Sequence, residues 1–167
     1  MTTPLPEAEQ LLTRLAEQLR PVITPATALV GIHSGGVWIM QRLLKLLDVP
    51  LAHGTLDVSF YRDDFNQRGL KPTTRPSQIP FEVEARHIIL IDDVFYTGRT
   101  IRAALNELFD YGRPANISLA VLVNRGGREL PIAPQFSACE LPLPADKNLQ
   151  LLQHEDGRFY LRLDDQA

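Results

Sequence analysis

A single cysteine, Cys139, stands among the 167 residues. That excludes an internal disulfide framework and suits a reducing cytosol. No motif surrounds Cys139, so it reads as a small packing residue rather than a nucleophile. Cationic blocks are missing too: 17 Lys and Arg against 20 Asp and Glu leave a net charge of −3, and no stretch advertises a nucleic-acid surface. No segment has the apolar length of a membrane span. The N-terminus has no basic region followed by an apolar run, so no signal peptide is expected and a cytoplasmic location is. His33, His53, His87 and His154 lack metal-ligand spacing. Neither G-x-x-x-x-G-K-[ST] nor G-x-G-x-x-G occurs, which removes the Walker-type loop and the dinucleotide turn. No internal repeat or low-complexity tract is visible.

What is present alternates. Residues 6–20 carry Leu11, Leu12, Leu15 and Leu19 on one stripe, which predicts a helix. Residues 28–32 (ALVGI) predict a short strand, 37–47 (VWIMQRLLKLL) an apolar helix, 55–60 (TLDVSF) a strand with one polar face, and 117–123 (ISLAVLV) a buried strand. Residues 146–165 predict a hairpin turning at Asp156-Gly157. Strands separated by helices imply an α/β fold with a central, mainly parallel sheet flanked by helices. The length fits one domain, 1–167, large enough for a full α/β core. The polar stretch 61–80 (YRDDFNQRGLKPTTRPSQIP) reads as a long flexible loop.

The most informative segment is 88–100, IILIDDVFYTGRT. Ile88 to Ile91 read as a strand buried on both faces, with Asp92 and Asp93 where it should end. Thr97-Gly98-Arg99-Thr100 follows, and then Ile101, Ala104, Leu105 and Leu108 recur at helical spacing. A turn feeding a helix N-terminus presents free N–H groups and the positive end of the helix dipole, an anion site to which Thr97 and Thr100 add hydroxyl donors. The two carboxylates would repel a second phosphate, but they accept hydrogen bonds from vicinal hydroxyls and help to hold hydrated magnesium. Phosphate at one end and a diol at the other suggest a ribose 5-phosphate. A second strand-to-helix junction, Gly31-Ile32-His33-Ser34-Gly35-Gly36, carries the glycines and free N–H groups of another anion loop.

Residues 88–100 resemble the signature of the type I phosphoribosyltransferases, which bind 5-phosphoribosyl-1-diphosphate (PRPP). LVGIHSGG, LDVSFYRDDF, HIILIDDVFYTGRTIRAAL, GRPANISLAVLVNRGGRELPI and the C-terminal hairpin extend the resemblance to the PyrR family, over most of residues 29–165. That family comprises uracil phosphoribosyltransferases that also regulate pyrimidine genes by binding RNA.

The resemblance implies the type I phosphoribosyltransferase fold, PRPP with Mg²⁺, uracil as acceptor and UMP as product. It implies a homodimer or larger homo-oligomer. By residue, it implies that Ser34, Gly35 and Gly36 hold the diphosphate, with a cis peptide at His33–Ser34. Thr97, Gly98, Arg99 and Thr100 would hold the 5′-phosphate, and Asp92 and Asp93 the ribose hydroxyls and magnesium. Val123, Asn124, Arg125 and Tyr96 would meet the base, and Arg62 would enter catalysis from the loop. Tyr96 stands where purine enzymes of the superfamily place an Asp, which argues against a purine acceptor. Trp38 and Tyr111 are assigned to packing.

Two departures are visible: Asn124 where an Asp is usual, and Gly35 where some members carry Arg. The alternative reading is a UMP-sensing attenuator that binds pyrimidine leader RNA. Its RNA-binding members use cations on the N-terminal helix and after R-E-L-P-I, where this chain reads TRLAEQLR and APQFSACE. A basic face would have to be assembled from scattered residues such as Arg14, Arg20, Arg125 and Arg128.

Overall fold

The structure is a computed structural model that describes residues 4–58 and 77–166. The elements are α1 (Ala8–Leu19), β1 (Thr27–Ile32), α2 (Gly35–Leu47), β2 (Ala52–Leu56), β3 (His87–Phe95), α3 (Arg99–Phe109), β4 (Asn116–Asn124), β5 (Phe136–Glu140), β6 (Lys147–Gln153) and β7 (Phe159–Asp165). Strands β1 to β5 form one sheet in the order β2-β1-β3-β4-β5, every neighbouring pair parallel. β6 and β7 form the expected antiparallel hairpin, with Gly157 at φ 91° in its turn. The mainly parallel sheet flanked by helices and the C-terminal hairpin are as the sequence predicts, with four of the five sheet strands expected.

Alternation along the strands divides the core between the two faces of the sheet. Leu29, Ile89, Ile91, Ala120 and Leu122 face the side covered by α1 and α2, where the leucine stripe of α1 is buried. Ala28, Val30, Ile88, Leu90, Leu119 and Val121 face the other side, covered by Ile101, Ala104 and Leu108 of α3. Each large side chain so buried contributes roughly 1.5–3 kcal/mol. Leu149, Leu151, Phe159 and Leu161 of the hairpin join the first of these clusters, so the hairpin rests on α1 and α2. Its seat is also polar. Glu9, in the first turn of α1, accepts two hydrogen bonds from the Arg42 guanidinium and one from the Phe159 amide. Burial pushes the Glu9 carboxyl up, but those bonds and the Arg42 charge outweigh it and hold the group below its ordinary value.

Two boundaries and one further strand differ from the sequence reading. The strand expected at 55–60 is β2, Ala52–Leu56; parallel pairing from Ala28↔Ala52 to Ile32↔Leu56 draws His53 and Gly54 into it despite their low strand propensity. β3 does not end at the acidic pair but continues to Phe95, because Val94 and Phe95 pair with Val123 and Asn124 of β4. β5 has no counterpart in the sequence reading; FSACE becomes a strand by pairing with β4. The flexible loop expected at 61–80 lies outside the described residues up to position 76, and beyond it Gln78 bridges to Thr55. Among the described residues no helix is long and apolar enough to cross a membrane.

Candidate active site

Strand order places the site. From β1 the chain passes through α2 to β2 on one side, while β3 leads through α3 to β4 on the other. The C-terminal ends of β1 and β3 therefore flank a topological switch point, the position at which open α/β sheets bind ligands. β1 stops pairing with β3 at Gly31↔Ile91, so Asp92 and Asp93 lie one and two residues past that last pair, beside the loop that β1 feeds.

Close approach of that loop to β3 depends on its glycines. A Cβ at Gly36 would lie 2.2 Å from the Ile91 carbonyl oxygen, and one at Gly35 would lie 2.3 Å from Asp93 Oδ2. Both glycines belong to the first turn of α2 rather than to a preceding loop, so their N–H groups are among those a helix leaves unpaired at its start. The Trp38 amide donates to the Ser34 carbonyl, and the His33–Ser34 peptide is cis. The helix N-terminus is thus brought directly against the acidic pair.

Each carboxylate accepts the next amide along the strand, Asp92 Oδ1 from Asp93 N at 2.9 Å and Asp93 Oδ1 from Val94 N at 2.8 Å, which orients both. Asp92 is only 4% exposed. The second helix start follows. Gly98 sits at φ 97° ahead of α3, and buried Thr97 accepts the Arg99 amide at 3.2 Å. Arg99 itself faces outward, its Nε 2.9 Å from the Glu129 carboxylate.

A cleft of about 630 Å³ joins these parts. Ser34, Gly35, Asp92, Asp93, Tyr96, Thr97, Thr100 and Arg125 line it, and β6 closes it from Asn148 to Leu152. The other expected residues lie around it. Val123 is wholly buried in the core, and Asn124 caps its own turn, its Oδ1 3.3 Å from the Gly126 amide. Gly36 and Gly98 shape the two helix starts without lining the cleft. Arg62 falls outside the described residues.

Arg125 is only 3% exposed, and its guanidinium donates to the carbonyls of Lys147 and Pro144 at 2.9 and 2.8 Å while lying 4.1 Å over the Tyr96 ring. Burial draws the Arg125 guanidinium below its usual range. Arg125 therefore cannot belong to an exposed basic face. Gly127 permits this stack, since a Cβ there would lie 2.5 Å from the Tyr96 ring. Trp38 packs as expected, 6.1 Å from the Phe159 ring, and also borders the cleft. Tyr111, assigned to packing, is instead 45% exposed, because α3 ends before it.

Sequence reasoning missed the β6 wall and Glu129. The R-E-L-P-I motif draws attention to Glu129, but only the fold turns it toward Arg99.

Chemically, the cleft offers two helix N-termini for anions on either side of a carboxylate pair. No group of three or more His, Cys, Asp or Glu that could hold a metal occurs among the described residues. Two adjacent carboxylates without a third ligand fit magnesium that keeps most of its shell from water and substrate phosphates, which is how this ion is usually bound.

The glycine approach makes a graded prediction. Gly36→Ala meets backbone and should destabilise the protein by about 1–3 kcal/mol in urea unfolding, whereas Gly35→Ala meets only the Asp93 side chain and should cost less. Equal, negligible costs would contradict the packing described.

The chain is similar to known proteins over most of its length. The family model described as "Phosphoribosyl transferase domain" matches residues 3–150. A "Bifunctional protein PyrR" of Pseudomonas paraeruginosa is 49% identical over 152 residues, covering 89% of each chain. Another of that name, from Nitrosococcus oceani, is 49% identical over 151 residues, covering 89% of this chain and 83% of its own. Among solved structures, a hypoxanthine phosphoribosyltransferase from Staphylococcus aureus superposes with a TM-score of 0.63 at 22% identity, covering 85% of this chain and 78% of that one. At that identity the likeness concerns fold alone. With two helix starts and an acidic pair meeting at the switch point, and relatives at 49% identity over nearly the whole chain, this protein belongs to the PyrR family and carries a phosphoribosyltransferase domain.

Proposed function

We propose that the protein transfers the phosphoribosyl group of PRPP to uracil, giving UMP and diphosphate. The observation that carries the reading is the acidic pair lining one cleft together with the starts of two helices, an arrangement that suits a sugar carrying two anions. The bond from ribose C1 to the diphosphate oxygen breaks, a bond from C1 to uracil N1 forms, and the N1 proton passes to solvent. Positive charge develops on the ribose as diphosphate departs, as in glycosidic cleavage. The protein's task is then positional and electrostatic.

Ser34, Gly35 and Gly36 hold the leaving diphosphate through amides at the start of α2. Thr97, Gly98, Arg99 and Thr100 anchor the 5′-phosphate at the start of α3, where the Arg99 side chain pairs with Glu129. Asp92 and Asp93 accept the ribose hydroxyls. Magnesium, when bound with PRPP, neutralises diphosphate charge, and Asp92 and Asp93 are the residues that would help to hold its waters. Uracil lies under β6 against Tyr96 and the end of β4, from Val123 to Arg125. Membership of the PyrR family supports a pyrimidine acceptor. The active species is a homodimer or larger assembly, in keeping with the symmetry of small enzymes.

Incubation with PRPP, Mg²⁺ and each free base tests the acceptor. UMP should form fastest; no UMP, or faster turnover with hypoxanthine or guanine, overturns the reading. Asp93→Asn should weaken PRPP binding by about 1.5–3 kcal/mol in calorimetry, since it removes a charged acceptor. Unchanged affinity would remove the diol role.

The relatives are called "Bifunctional protein PyrR", and the family resemblance raises RNA recognition as a second activity for this chain. We infer that it is weak or absent. Of the four scattered cations, Arg125 is buried under the hairpin, which leaves only Arg14, Arg20 and Arg128 exposed for a basic face. Filter binding with the host's pyrimidine leader transcript at physiological salt should therefore be weak and insensitive to UMP. Nanomolar binding strengthened by UMP would make RNA regulation the principal activity.

A further inference from the structure

The cleft has two walls of different origin. The acidic pair and both helix starts belong to the sheet, whereas β6 belongs to a hairpin that reaches the cleft from the far end of the chain. Something must set the distance between them. At the entrance to the hairpin Arg125 binds the carbonyls of Pro144 and Lys147. At the other end, next to the turn, Phe159 is held from four directions.

Its amide donates to Glu9 Oε2 at 3.1 Å. The Arg42 guanidinium, itself held in a two-pronged bond by Glu9, lies 5.2 Å over its ring. Trp38 stacks on the same ring at an interplanar angle of 11°. Gln153, the last residue of β6, pairs with it across the hairpin. Trp38 and Arg42 stand one turn apart on α2, the helix whose first turn carries Ser34-Gly35-Gly36 to the acidic pair. One rigid helix therefore presents the anion loop at its start and the seat of the hairpin one and two turns later. Trp38 belongs to both, since it borders the cleft beside Ser34 and Gly35.

We propose that Glu9 and Arg42 act through Phe159 as positioning residues, fixing how far β6 stands from the acidic pair and so setting acceptance of the base. Neither touches the cleft. The bidentate bond restricts Arg42 to one orientation, the cation holds the Phe159 ring, and the carboxylate's remaining acceptor capacity fixes the backbone at the start of β7. This rests on the acceptor reading above. The phosphate sites do not depend on the clamp, because the start of α2 is seated on β3 by Gly35 and Gly36 and the start of α3 follows β3 directly, neither through the hairpin. A displaced β6 is therefore expected to harm base binding more than PRPP binding.

The test compares wild type with Glu9→Ala, Arg42→Ala and the conservative Glu9→Gln, which keeps an oxygen for the Phe159 amide. For each, KM values for uracil and for PRPP, kcat and the thermal midpoint are measured. Emission of Trp38, the single tryptophan of the chain, is recorded alongside. Glu9→Ala and Arg42→Ala should raise KM for uracil by about tenfold, an effect expected of a small misplacement of a binding wall. KM for PRPP should stay within about threefold, Trp38 emission should shift to the red, and Glu9→Gln should recover most of both effects. Unchanged KM for uracil with unchanged emission overturns the clamp. So does a loss confined to kcat and the thermal midpoint, which is what a purely structural pair would produce. If wild type turns over no uracil, the acceptor reading fails separately; the clamp is then decided by Trp38 emission, and unchanged emission in both alanine variants overturns it.

Discussion

The N-terminus of α2 lies against the side of β3, and most of the site follows from that contact. A helix can bring its first turn to within van der Waals distance of a strand only if nothing projects between them. Here Gly36 meets the Ile91 carbonyl and Gly35 meets the Asp93 carboxylate with no room for a methyl group at either position. The consequence is electrostatic as well as steric. Unpaired amides and the positive end of a helix dipole come to rest beside two oriented carboxylates, so the cleft carries opposite charges a few ångströms apart. A ligand with an anion and a diol matches that field; a simple anion or a simple cation matches only half of it.

The second half of the cleft is built differently. The sheet supplies Tyr96 and Arg125, but the covering wall is a hairpin that pairs with no strand of the sheet. A buried guanidinium is costly without partners, and Arg125 finds two of them in hairpin carbonyls and a third in the Tyr96 ring. Its burial therefore ties the hairpin to the sheet at the place where a base would enter. Glu9, Arg42 and Trp38 do the same at the opposite end through Phe159. The half of the cleft at the helix starts is built from local backbone and the half under the hairpin from long-range side-chain contacts.

That division also governs what the sequence reveals. The strand, acidic pair, turn and helix of residues 88–100 are consecutive, so their order could be read directly, and the leucine stripe of α1 is periodic on its own. The extension of β3 past the acidic pair was not legible, because Val94 and Phe95 are held in the strand by β4, more than twenty residues away. β5 is a strand only because β4 pairs with it. Arg125 looked equally available to solvent and to the cleft until the hairpin carbonyls came to cover it. The exposure of Tyr111 depends on where α3 stops, which its aromatic character does not indicate. Local chemistry was visible, whereas the partners supplied by distant segments were not.

The central claim is that two helix N-termini flanking Asp92 and Asp93 form one bipolar site for a phosphorylated sugar diphosphate. A crystal structure of the protein with Mg²⁺ and PRPP tests it most directly. The account predicts diphosphate oxygens on the amides of Ser34 to Gly36, the 5′-phosphate in the turn from Thr97 to Thr100, and ribose hydroxyls on the two carboxylates. PRPP bound elsewhere, or with its diphosphate in the turn at 97–100 and its ribose away from the acidic pair, would contradict it.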